Sequence, residues 1–277
     1  YLHGEGLRQA AEAMVAEFAS LGYAVERQEV PVPEAIPVPA GARFENLIAE
    51  LPGTGCPDEI IVIGAHYDAV ALGEGCPGAD DNASGVAGML ELARAFAGRP
   101  QVRTVRFVAF VNEEPPFFQT EGMGSLAYAR RCRERGERIM GMLCLEMIGY
   151  FSDEPGSQQY PLPALFRRFY PDRDDFIAVV GNRASRVWLK RVVGRFRETT
   201  AFPSAWAMVP EVVPGAAWSD HWSFWQAGYP AVMITDTALF RNPWYHTDQD
   251  RPERLDYERM ARVVGGLART IEKLAGD

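Results

Sequence analysis

Hydrophobic and polar positions along the chain switch repeatedly between a helical period and a strand period. Residues 5–21 (EGLRQAAEAMVAEFASL) carry apolar side chains three and four apart and run into Gly22, which predicts a helix with its stop signal. Residues 23–32 (YAVERQEVPV) alternate and predict a strand. Four prolines between Pro31 and Pro39 then predict a loop or an extended edge. A strand is expected near 46–51, ended by Pro52-Gly53. Residues 60–65 (IIVIGA) form a short unbroken apolar run, as expected of a strand buried on both faces. The pattern continues with a helix at 84–97, a strand at 102–111, a helix at 123–137 and a strand at 139–148. It ends with a strand at 176–180, a helix near 185–199, a short helix at 219–226, a strand at 230–235 and a helix at 253–274.

Strands that alternate with helices predict parallel βαβ units. The expected fold class is α/β, a three-layer α/β/α sandwich around a mostly parallel mixed sheet. Residues 152–175 (SDEPGSQQYPLPALFRRFYPDRDD) are rich in proline and aromatics with weak periodicity, and read as an inserted loop or lid. One domain over 1–277 is expected, with no internal repeat.

Composition narrows the function. Acids outnumber bases 37 to 28, a formal net charge of −9, which argues against nucleic acid because phosphate binding needs a basic surface. No apolar run is long enough to predict a membrane-spanning helix. The four cysteines form no CxxC pattern. Cys132 and Cys144 read as core residues, and Cys56 and Cys76, in loops flanking one strand, as a pair that an oxidising compartment would allow. The sequence opens on Tyr1, which reads as a trimmed chain and favours a periplasmic or secreted location.

In open α/β sheets, ligands gather at the carboxyl ends of the strands. His66-Tyr67-Asp68 follows the 60–65 run, and Asp80-Asp81-Asn82 opens the next helix. Asn112-Glu113-Glu114 follows the next strand, Glu146 lies near the end of 139–148, and Tyr245-His246 follows the last strand and a loop. Two imidazoles and several carboxylates on one rim suit a borderline divalent metal such as zinc. With three or more carboxylates, one can bridge two ions, and paired ions activate water for hydrolysis. Taken singly, each residue also reads as an ordinary loop acid, and Asp80-Asp81-Asn82 as a helix cap.

The segments GAHYD (64–68), GADDNASG (78–85), NEE (112–114), LEMIGY (145–150), SDHWSFWQAGYPAVM (219–233) and YHTDQD (245–250) resemble, in order and spacing, the M28 zinc aminopeptidases. The resemblance implies two zinc ions: His66 and Glu146 on one, His246 and Glu114 on the other, and Asp81 bridging them. It also implies a cis peptide after Asp81, Glu113 as general base, Asp68 orienting His66, and Tyr245 donating to the oxyanion. Many members carry Asp where this chain has Glu146, a departure that bears on how the substrate amine is held. The implied partner is a peptide with a free N-terminus and an apolar first residue.

Other features read as decoys or supports. Residues 73–78 spell GxGxxG, but Pro77 and the following aspartates argue against a nucleotide. Ser219 reads as a helix cap, with Asp220 and His221 supporting the ligands from behind. His3 reads as idle. The sequon at Asn82 lies inside the metal motif. Phe117 and Phe118 are the favoured lining of a pocket for the first side chain; Trp218, Trp222, Trp225 and Trp244 read as core or pocket. Two other functions compete. A glutaminyl cyclase shares the scaffold with one zinc, but tends to carry Trp directly before the last histidine, where this chain has Tyr245. A non-catalytic binding module would have lost ligands, whereas all five positions here hold competent side chains.

Overall fold

Apolar runs become the middle of the sheet because both faces of those strands are covered. A computed structural model describes residues 4–39, 41–70 and 76–276. It begins with α1 (Gly4–Ser20), β1 (Val25–Glu29), β2 (Glu45–Leu51) and β3 (Cys56–His66). After these come α2 (Gly85–Phe96), β4 (Arg103–Phe110), α3 (Gly124–Glu134) and β5 (Arg138–Glu146). A short α4 (Pro163–Phe166), β6 (Ile177–Gly181), α5 (Arg186–Thr199) and β7 (Ser204–Met208) follow, and the chain ends with α6 (His221–Gln226), β8 (Ala231–Thr235) and α7 (Tyr257–Gly276).

The eight strands form one mixed sheet in the order β1-β2-β4-β3-β5-β8-β6-β7. Its centre, β4, β3, β5 and β8, is parallel. The flanks supply the antiparallel pairs, β1 with β2, β2 with β4, and β6 with β8. Alternate residues of each strand feed opposite layers. Ile61 and Ile63 join Phe107, Leu143 and Leu145 under α1, α2, α5 and α7, while Ile60, Val62, Val108 and Phe110 pack under α3 and α6. The three-layer α/β/α sandwich with a mostly parallel mixed sheet is therefore present.

Helix spacing explains the docking. In α7 the buried Met260, Val263, Leu267, Ile271 and Leu274 recur three and four apart, forming one apolar stripe. Trp188 of α5 lies against Gly141 of β5, where any Cβ would overlap the indole, and donates to the Met142 carbonyl at 3.1 Å.

Several expectations shift. Helix α7 starts at Tyr257 because Pro252–Arg254 forms a separate 3-10 turn. Strand β7 went unpredicted; its five residues, SAWAM, lie at a sheet edge, Trp206 and Met208 are exposed, and the sequence, apolar after Ser204, shows no alternation of polar and apolar positions. All four cysteines are free, including Cys56 and Cys76. His3 and 73–75 of the GxGxxG run lie outside the described residues. Among the described residues, no helix is long and apolar enough to cross a membrane.

Phe107 is fully buried and meets the rings of Tyr23 and Phe96 at centroid distances of 5.8 and 6.4 Å. Phe107→Ala is expected to lower unfolding free energy by about 3–5 kcal/mol, read as a fall in the urea midpoint with an unchanged slope.

Candidate metal centre

Parallel strands end on one rim, and the sequence places its acids and imidazoles there. His66 closes β3 and Glu146 closes β5. Glu113 and Glu114 follow β4, Asp81 lies in the turn Ala79–Ser84, and His246 lies in the loop beyond β8. Three non-glycine residues at this rim take left-handed backbone: Asn112 (φ 61°), Met147 (φ 49°) and His246 itself (φ 57°). Such conformations are uncommon and cluster where function over-determines the chain. Each one turns the backbone sharply at or beside a site side chain.

Two clusters result, and they share one residue. His66 Nε2 lies 3.3 Å from Asp81 Oδ1 and 3.4 Å from Glu146 Oε2. His246 Nε2 lies 3.0 Å from Asp81 Oδ2 and 3.4 Å from Glu114 Oε1. Each trio offers three ligand atoms within 4.8 Å of one another. Glu113 Oε2 stands beside them, 3.9 Å from His66 Nε2. The Nε2 atoms of both histidines are buried without a hydrogen-bond partner. His66 Nδ1 is within 3.1 Å of the Asp68 carbonyl oxygen, a contact that puts the proton on Nδ1 and leaves the Nε2 lone pair facing the acids. Two orphaned imidazole nitrogens among carboxylate oxygens suit a borderline divalent cation.

Hydrogen bonds from distant parts of the chain hold this arrangement. The peptide after Asp81 is cis, as the resemblance implied. Asn82 donates to the Leu145 carbonyl at 2.9 Å and accepts from the N–H groups of Met147 and Gly85, so it grips the chain on both sides of Glu146. Asp250 accepts from the N–H groups of Asp80 and Asp81 at 2.9 and 3.1 Å. The Asp68 carboxylate accepts from the N–H groups of Glu113 and Glu114, both at 3.1 Å. Gly78 (φ 64°) leads in, and a Cβ there would come within 2.5 Å of the Asp81 carbonyl oxygen.

Charge is concentrated and withdrawn from water. Burial raises the Glu113 carboxyl well above its usual range, against the pull of His66. Burial and then the Asp81 charge lift Glu114 to about 7. Burial would raise Asp81 too, but contacts with His246 and His66 hold it at about 2. Burial opposes charge on the imidazoles, yet the facing carboxylates outweigh it, raising His66 well above the ordinary value and His246 to about 10. A buried group of acids on this scale calls for a compensating cation.

Comparison with known proteins places this geometry. The model of peptidase family M28 matches residues 46–271. The chain belongs to peptidase family M28. It is 42% identical to the uncharacterized protein YfbL of Escherichia coli K12, over 95% of this chain and 79% of that one. It is 28% identical to a probable leucine aminopeptidase of Trichophyton verrucosum, over 80% of this chain and 56% of that one, so it spans little more than half of that relative. Among solved structures it superposes on a glutaminyl cyclase of Fimbriiglobus ruber with a TM-score of 0.71, at 20% identity, over 96% of this chain and 87% of that one.

Around this M28 centre the remaining candidates sort differently from the sequence reading. Ser219 is not a side-chain cap of α6. Its hydroxyl donates to Glu146 Oε2 at 2.6 Å, 73 residues away in sequence. Asp220 is fully buried, and burial lifts it to about 7 although His66 pulls it down. His221 turns away, its Nε2 on the Ala216 carbonyl at 2.9 Å and its ring edge-on to Trp225. Tyr245 stacks on His246, ring centroids 3.8 Å apart.

Phe117 does not line a pocket; it is buried with Val30, Phe44 and Val111. Trp225 is core and Trp222 packs against it. The pocket beside the centre is instead a cavity of about 120 Å³ walled by Phe166, Tyr170, Phe176, Trp206 and Met233, and Trp218 also lines it. Glu146 and Tyr245 stand where it meets the acids, and Glu146 is its one charged lining residue among those described. Apart from the aromatic stretch 152–175, no local sequence signal announced this pocket, because its lining comes from segments scattered between Glu146 and Tyr245.

Asn82→Ala would take the side-chain partner from the Leu145 carbonyl and from the Met147 N–H in the interior, while the Gly85 N–H keeps the Asn82 backbone carbonyl. It is expected to lower unfolding free energy by about 2–4 kcal/mol, measured by urea titration of the chelator-treated protein.

Proposed function

We propose that this chain is a zinc-dependent aminopeptidase acting as one domain over 1–277, with 152–175 as a lid over the pocket. The observation that carries the reading is Asp81, whose two carboxylate oxygens face two separate imidazole–carboxylate pairs. His66, Asp81 and Glu146 would hold one zinc ion, and Asp81, Glu114 and His246 the other. Such ions, when bound, supply Lewis acidity that activates water and polarises a carbonyl.

The chain's own groups do the rest. Glu113 lies 3.9 Å from His66 Nε2 and belongs to neither trio, so it is the carboxylate left to take a proton from the attacking water. The same oxygen returns that proton to the leaving amine, and the peptide bond is cleaved. The Tyr245 hydroxyl donates toward the developing oxyanion. The apolar cavity receives the first side chain, and the adjacent acids pair with the free amine, which confines cleavage to the chain end. Peptides with a large apolar first residue are the expected substrates, in line with the leucine aminopeptidase relative.

The cyclase likeness gives a second reading, since the scaffold covers most of that enzyme. Against it stands Tyr245, not a tryptophan, stacked on the last histidine. Aminoacyl and glutaminyl peptides assayed with and without a chelator separate the two. Release of apolar N-terminal residues that stops on chelation supports the peptidase; pyroglutamate formation with one zinc ion per chain at full activity supports the cyclase.

Glu113→Gln is expected to lower kcat by about 10²–10⁴-fold. Zinc content, by elemental analysis, should stay at two ions per chain; a fully active variant would remove Glu113 from this role.

A further inference from the structure

A buried arginine outside the metal cluster ties the pocket to the centre. Arg241 follows the short turn Ala238–Phe240, and its side chain is fully buried. Its guanidinium donates to Gln158 Oε1, from Nη2 at 2.9 Å and Nε at 3.3 Å, and to the Phe176 carbonyl from Nη1 at 2.9 Å. Nε also lies 3.3 Å from Asp174 Oδ1, and the cation stands 4.7 Å from the Phe176 ring centroid. A buried cation with this many partners fixes geometry, because a planar fork satisfies several acceptors at once.

Those acceptors belong to the stretch between β5 and β6. Gln158 is gripped from both ends: its amide nitrogen donates to Thr237 Oγ1 at 2.9 Å, while its oxygen accepts from Arg241. The Gln159 N–H donates to the Phe240 carbonyl at 2.8 Å, and a bridge between Ser152 and Asp174 closes the base of the stretch. Beyond that base, Tyr160, Phe166 and Tyr170 stack into a cavity wall. On the other side of Arg241, Asn242 donates to Asp80 Oδ2 at 2.8 Å, next to Asp81, and the loop continues to Tyr245 and His246.

We infer that Arg241 is a positioning residue for substrate recognition: it clamps residues 152–175 onto the loop that carries Tyr245 and His246, and so sets the wall of the first-residue pocket. The inference rests on the aminopeptidase reading for its substrate, although the clamp itself does not. Arg241→Lys keeps a charge beside Asp174 but cannot span Gln158 and the Phe176 carbonyl together. Gln158→Leu keeps the volume and loses both ends of the grip without disturbing the arginine–aspartate pair.

Hydrogen–deuterium exchange on the zinc-loaded full chain tests the clamp directly. Amides of 152–175 should exchange about tenfold faster in both variants, with no change in the central strands. For a leucyl substrate, KM should rise about five- to tenfold while kcat moves less than about twofold, at unchanged zinc content. Wild-type exchange in either folded variant overturns the clamp. Faster exchange with an unchanged KM overturns its role in recognition. Should the wild type hydrolyse no aminoacyl substrate, the aminopeptidase reading fails by itself, and the exchange measurement still decides the clamp.

Discussion

One carboxylate sets the terms for the rest of the molecule. Asp81 is buried and presents a separate oxygen to each of two imidazoles. A buried carboxylate is costly unless its partners are fixed, and here the partners come from opposite ends of the chain. The turn Ala79–Ser84 must therefore lie across the ends of β3 and β5 with little freedom. Asp250 holds its N–H groups from one side and Asn82 pins it to β5 from the other. The surrounding architecture reads as the support this one side chain needs.

That support explains why the centre of the sheet is parallel, with antiparallel pairs only towards its flanks. Parallel neighbours, joined by helical crossovers, deliver the ends of β3, β4 and β5 to the same rim, so His66, Glu113 and Glu146 converge there. Antiparallel pairing among these three would send alternate strand ends to the opposite rim. The flanking strands contribute none of the metal-cluster side chains and are free to pair antiparallel, as β1 with β2 and β6 with β8. The left-handed residues at the rim follow from the same demand, since a strand must turn at once to aim its next side chain inward.

The parts legible in the sequence are those with a local physical signature. Helical stripes such as that of α7 and unbroken apolar runs such as 60–65 announce themselves within a dozen residues. The cluster residues were legible as candidates because each sits inside a short recognisable motif, His66 and Glu146 at strand ends and Asp81, Glu114 and His246 in the turns and loops of the same rim. What stayed hidden depends on contacts between distant segments. Ser219 looked like a cap because a serine before a helix usually is one, but its hydroxyl goes to Glu146. Asp250 closes the YHTDQD segment, but its role appears only when the loop folds back on Asp80 and Asp81. Phe117 and Phe118 were favoured for the pocket because they follow the glutamates. The turn after Glu114 instead packs Phe117 with Val30 and Phe44.

On the proposed reading, chemistry and selectivity sit on parts of the chain with different physical constraints. The acids and imidazoles must hold their positions within tenths of an ångström, which calls for rigid strand ends and saturated hydrogen bonding. A pocket for an apolar side chain needs only the right volume and an absence of charge. Its walls can come from weakly periodic segments such as 158–170 and the edge strand β7. Loose walls bind poorly, however, because ordering them on binding costs entropy that must come out of the affinity. A cation that is buried, multiply bonded and one residue from the link to Asp80 resolves the conflict: the wall inherits its rigidity from the centre beside it. The Glu146 carboxylate is the other junction, since it faces His66, is held by Ser219 and lines the pocket. Its extra methylene, relative to aspartate, lets the strand end reach toward both, and the serine fixes the oxygen that the longer side chain would otherwise leave free to swing.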